Sequence, residues 1–67
     1  MPDTKLLKEI ISKSGLTIVA IAEKTGVSRE TIYNRLNGKG EFRASEMVAL
    51  SKVLNMSKED RDKIFLS

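Results

Sequence analysis

A chain of 67 residues has room for one domain, and a domain this small buries only about 60% of the surface its unfolded chain exposes. Cysteine and histidine are both absent, which excludes disulfides, thiolate-held zinc, cysteine nucleophiles and the imidazole proton shuttle. The net charge is +3, and it is concentrated: five basic residues stand against two acidic ones between Lys24 and Arg43, whereas the remainder balances seven against seven.

The apolar spacing is helical throughout, with no sustained strand-like alternation. Leu6, Leu7, Ile10 and Ile11 fall on one face of a first helix. Asp3 or Thr4 is placed to cap its start, and Gly15 to end it, because glycine takes the left-handed conformation at little cost. Thr17 is the expected N-cap of the next helix. Leu16 before that cap and Ile21 at the fourth helical position form a hydrophobic staple. Ile18, Ile21 and Ala22 are its expected buried stripe, and it should stop near Thr25, before Gly26.

A third helix over residues 29–36 repeats this grammar. Ser28 is its N-cap, and Val27 with Ile32 makes a second staple. Ile32 and Leu36 give it a narrow apolar edge, leaving Arg29, Glu30, Tyr33 and Asn34 outward. Asn37-Gly38-Lys39-Gly40 is a strong stop. After Phe42, a helix from about Ala44 to Leu54 turns Met47, Leu50, Val53 and Leu54 inward. Either Arg43, with Glu46 three residues on, or Ser45 caps it, and Asn55 closes it. Ser57 caps a last helix, with Asp60 as a short capping-box acid. Ile64 is expected to fold back onto the first helix. Phe65 and Leu66 either do the same or, with Met56, form a contact between copies.

The expected architecture is therefore all-α: a compact bundle of five short helices in a single domain over residues 1–67. Residues 17–37 carry the functional signal. Two short helices meet across Gly26-Val27-Ser28, with a small residue, Ala22, where the backbones approach and Ile32 plugging the core between them. That is a helix-turn-helix, two helices crossing at roughly 90–120°.

The stretch LTIVAIAEKTGVSRETIYNRLNGKG, Leu16 to Gly40, resembles the helix-turn-helix of lambda-repressor and Cro-type phage regulators. The small residue, turn glycine and core aliphatic of that family match Ala22, Gly26 and Ile32, and Asn37-Gly38-Lys39 also resembles its ending. The tail from Glu41 through Phe65 is similar to the two closing helices of small phage regulators. Two positions depart: Ile18 stands where many members have glutamine, and Arg35 where many have an aliphatic side chain. The resemblance implies a lambda-repressor-like DNA-binding domain that regulates transcription as a repressor on a double-stranded DNA operator.

In this arrangement the second helix of the pair enters the major groove. Arg29, Glu30, Tyr33 and Asn34 are then the expected base contacts. Arg29 suits guanine and Asn34 adenine, each by two hydrogen bonds. Glu30 suits cytosine, or else orients Arg29, and Tyr33 offers a ring to a thymine methyl. Thr17 and Ser28, at helix N-termini, and the cations Lys39 and Arg43 are the expected phosphate contacts. Lys24 and Arg35 are secondary candidates, since long cations also cover apolar surface.

Two partner readings stay open, a homodimer and a repressor protein bound through the same fold. In the second, the chain is a partner-dependent modulator, an anti-repressor or an antitoxin. An aliphatic Ile18 or Val19 on the DNA-facing helix suits that role. No enzyme is expected: Glu59, Asp60 and Asp62 lie among Lys58, Arg61 and Lys63 as on a solvated helix face, and no catalytic set, metal spacing or cofactor loop is present. No apolar run reaches bilayer length, and Met1-Pro2-Asp3-Thr4 lacks the pattern of a secretion signal. The expected location is the cytoplasm, with no membrane partner.

Overall fold

The computed structural model describes residues 3–66; the part of the signal reading that falls on Met1 and Pro2 lies outside them. Five helices follow in order: α1 Thr4–Ser14, α2 Ile18–Thr25, α3 Arg29–Leu36, α4 Ala44–Val53 and α5 Lys58–Phe65. None of them is long and apolar enough to cross a membrane.

Four of the five starts are fixed by a side-chain acceptor that satisfies one orphan amide of the first turn. The Asp3 carboxylate accepts from Leu6 N–H, Thr17 Oγ1 from Ala20 N–H, Ser28 Oγ from Thr31 N–H and Ser57 Oγ from Asp60 N–H, at 3.0–3.2 Å. The start of α4 is solved in reverse. Arg43 holds the cap position with no acceptor to offer, and Glu46 Oε1 instead accepts the Arg43 backbone N–H at 3.0 Å. At the other end, Leu54 is the cap rather than the last helical residue, and Asn55 takes φ +50° to turn the chain toward α5.

The core is one cluster of Leu7, Ile21, Ile32, Leu36, Leu50, Leu54 and Ile64. It forms because α2 packs on both α3 and α4, and α1 packs on α3 and α5. Leu16, Ile18, Ala22 and Val27 are half-buried against it, so both staples and the α2 stripe face inward. Ile18 therefore belongs to the core margin, and the outward aliphatic on α2 is Val19, 47% exposed. Met47 and Val53, expected inward on α4, are only half-buried, while Glu46 and Ser51 are buried beside Leu50. The Ser51 hydroxyl is satisfied by donating to the Met47 carbonyl at 2.6 Å.

Ile64 is fully buried, and its carbonyl accepts the Asp3 N–H at 3.0 Å, which ties α5 to the start of α1. Phe65 meets Phe42 edge to face, with ring centroids 5.1 Å apart. That contact anchors the segment between α3 and α4 onto α5. Lys58–Asp62 and Lys63–Glu59 pair along α5 at i,i+4. Such exposed pairs contribute about 0.3–0.5 kcal/mol each, consistent with a solvated face.

The α2–α3 turn depends on Gly26, whose φ is +76° and whose N–H donates to the Ala22 carbonyl at 2.9 Å. A Cβ added there meets nothing within 4 Å. The cost of a side chain is thus conformational rather than steric. Gly26→Ala is expected to lower stability by about 1–2 kcal/mol in urea unfolding, with the helical circular dichroism of the folded state unchanged.

Candidate nucleic-acid interface

The eight residues of α3 make a rod roughly 12 Å long and, with side chains, about 10–12 Å across, a diameter that fits the roughly 12 Å width of a DNA major groove. Ile32 and Leu36 are buried against α1 and α2 and fix the helix's rotation about its axis. With 3.6 residues per turn, Arg29, Glu30, Tyr33, Asn34 and Asn37 fall within an arc of roughly 140° that starts beside this buried edge at Arg29 and reaches the opposite side at Asn34. Arg29, Glu30, Tyr33 and Asn37 are exposed, and Tyr33 keeps 51% of its surface. Asn34 is half-buried, less open than the sequence pattern implied.

Arg29 and Glu30 form no ion pair with each other among the described residues. Each therefore presents its own hydrogen-bonding groups, one donor set and one acceptor set, side by side at the first turn. Asn37 reads in the sequence only as a helix stop. Its spacing four residues after Tyr33 is the signal that places it on the same face.

The two N-termini of the motif differ. The Ser28 hydroxyl accepts from Thr31 N–H and donates its proton to Thr31 Oγ1 at 2.9 Å. It is engaged both ways, so an anion there meets the unpaired first-turn amides of α3 instead. Thr17 Oγ1 accepts from Ala20 N–H and keeps its proton for an outside acceptor. Between the two helices lies a shallow groove lined by Val19, Ala22, Glu23, Val27, Ser28 and Arg29.

Lys39 and Arg43 bracket the segment from α3 to α4, and both are exposed. Lys24, in the last turn of α2, is exposed as well. Arg35 is the exception among the cations. Its guanidinium turns inward to Glu46 and the Lys39 carbonyl, so it is withdrawn from the set of side chains open to phosphate. The sequence reading of Arg35 as a secondary phosphate contact is corrected by that ion pair, whose partner is 11 positions away. Among the described residues, no cluster of acidic side chains is arranged to hold a metal ion.

Two short capped helices, a three-residue turn with glycine in the left-handed region, and a second helix with a buried inner edge and a polar outer face define a helix-turn-helix DNA-binding domain. The family model described as helix-turn-helix matches residues 7–60. The chain belongs to that family, the helix-turn-helix of the lambda-repressor and Cro type, whose members are DNA-binding transcriptional regulators. No curated protein and no solved structure matches the chain.

Proposed function

We propose that this chain is a sequence-specific repressor of the Cro kind, of phage or prophage origin, acting in the cytoplasm as a single domain over residues 1–67. The observation that carries the reading is the outer face of α3, where Arg29, Glu30, Tyr33 and Asn34 stand on a helix held rigidly by Ile32 and Leu36. Inserted in the major groove, Arg29 donates two hydrogen bonds to guanine O6 and N7, and Asn34 pairs with adenine N6 and N7. Glu30 accepts from cytosine N4, and Tyr33 lays its ring against a thymine methyl. Thr17, the N-terminus of α3 at Ser28, Lys39 and Arg43 hold the phosphates and so set the register. No catalytic step, metal or cofactor enters this reading.

One such unit covers a single half-site, and two copies would read half-sites about 34 Å apart. Val48 on α4 and Leu66 beyond α5 are exposed aliphatics, Leu66 at 75%. They line one concavity with Met47 and Phe65, which supports an association between copies through the α4–α5 face.

The decisive experiment is selection of bound duplexes from a random DNA library by the purified protein at moderate salt, read by sequencing. An enriched inverted repeat is the expected result. A single short site would mean a monomeric reader. No enrichment would overturn the autonomous reading in favour of a modulator, anti-repressor or antitoxin that binds a repressor or other protein, a second reading favoured by the exposure of Val19 on α2.

Lys39→Ala is expected to weaken every duplex alike and to flatten the dependence of log affinity on log salt by about one unit, since one phosphate contact is lost. A change in base preference with the salt slope intact would remove Lys39 from the phosphate set.

A further inference from the structure

The segment between α3 and α4 is fastened in an unusual way. Arg35 Nε donates to Glu46 Oε1 at 3.3 Å, and Nη1 donates to the Lys39 carbonyl at 3.2 Å. The same Glu46 oxygen accepts the Arg43 N–H at 3.0 Å. Both side chains are largely withdrawn from water, 16% exposed for Arg35 and 11% for Glu46. Gly40 lies against the guanidinium so closely that a Cβ there would collide with Arg35 Nη1. Among the described residues, no backbone–backbone hydrogen bond ties Gly40, Glu41 or Phe42. Gly38 and Gly40 both sit at positive φ, +77° and +74°. With two such permissive residues the segment has many alternative paths. Phe42 fixes one point of it on Phe65, and the Lys39 N–H is tied to the Asn34 carbonyl at 2.7 Å; the link across from residue 39 to the start of α4 runs through Arg35.

We propose that Arg35 is a positioning residue for DNA binding. With Glu46 it clamps the carbonyl of residue 39 and the N–H of residue 43, so that Lys39 and Arg43 are held at a fixed separation before they meet two phosphates. Its own charge is matched by Glu46 and does not reach the DNA. The clamp lowers the ordering cost that a free segment would meet on binding. This inference rests on the DNA-binding reading above, and concerns how that binding is prepared.

The test is the double variant Arg35→Leu/Glu46→Gln. It removes one positive and one negative charge, so the net charge stays +3 and bulk attraction to DNA is unchanged. The glutamine carbonyl still accepts the Arg43 N–H. Because both charges go together, no uncompensated charge is left in this half-buried site, the outcome that makes removal of one partner costly. Binding to a labelled mixed-sequence duplex at low salt is read by fluorescence anisotropy, beside the thermal midpoint of each protein. The expected result is an affinity about tenfold lower and a salt slope flatter by about one unit or more, with the midpoint held.

Arg35→Lys keeps the charge but not the two-armed grip, and is expected to show the same loss; it carries the test alone if the double variant does not fold. A wild-type protein that binds duplex while both variants match it in affinity and slope overturns the clamp and leaves the DNA reading intact. A wild-type protein that binds no duplex overturns that reading, and the clamp's role with it.

Discussion

Ile21→Ala is expected to lower the thermal midpoint of the chain by roughly 8–40 °C. Ile21 is fully buried, and it sits on the helix that packs against both α3 and α4. Truncating such a side chain removes its transfer free energy and leaves a cavity, about 2–5 kcal/mol together. In a domain of this size 1 kcal/mol moves the midpoint by about 4–8 °C. The whole stability is only about 3–10 kcal/mol, taking about 0.05–0.15 kcal/mol per residue, so the upper part of that range leaves the variant unfolded. A circular dichroism melt beside Val19→Ala, which changes an exposed neighbour two positions away, separates the core effect from any change in helix propensity. A fall of less than about 5 °C would mean that α2 is held by its margins, Leu16, Ile18 and Ala22, rather than by Ile21.

Arg29→Ala is expected to act on recognition alone. Arg29 is exposed and makes no ion pair among the described residues, so its removal should leave stability within about 0.5 kcal/mol. If it reads guanine by two hydrogen bonds, the variant loses about 1–3 kcal/mol of binding. That loss should be confined to duplexes carrying the guanine, and the selected site should become degenerate at that one position. Competition binding with single-base variants of the enriched duplex measures this directly. A uniform loss across all duplexes, with a flatter salt slope, would make Arg29 a phosphate contact instead.

The two variants probe different levels of the same sequence, and those levels are unequally legible. Starts and stops of helices are short-range events. Thr17, Ser28 and Ser57 each sit three residues before the amide they cap, and Gly15 and Gly26 each terminate a helix within their own turn. The five-helix order and the inward staples follow from spacing alone. The outer face of α3 is legible in part for the same reason: the period that buries Ile32 and Leu36 leaves Glu30 and Tyr33 outside, whereas Arg29, in phase with Leu36, is open because it stands at the first position of the helix. What spacing does not carry is a contact closed by a turn of irregular backbone. The acid three residues after Arg43 is visible as a cap partner, yet its second partner, Arg35, reaches it only through the path set by Gly38 and Gly40. Arg35 therefore reads as an open cation when it is half-buried and paired, and the burial of Glu46 is not legible from its role as a cap partner. Asn34 and Val53 are both half-buried, because helical phase says which side a residue faces and not how close the neighbouring element comes.

The bond from Asp3 N–H to the Ile64 carbonyl, with Ile64 itself sealed in the core, makes closure of the fold a late event in the life of the polypeptide. The cover over the α1 side is missing until residue 64 has been made. During that interval Leu7 and its neighbours are open to water and to proteases.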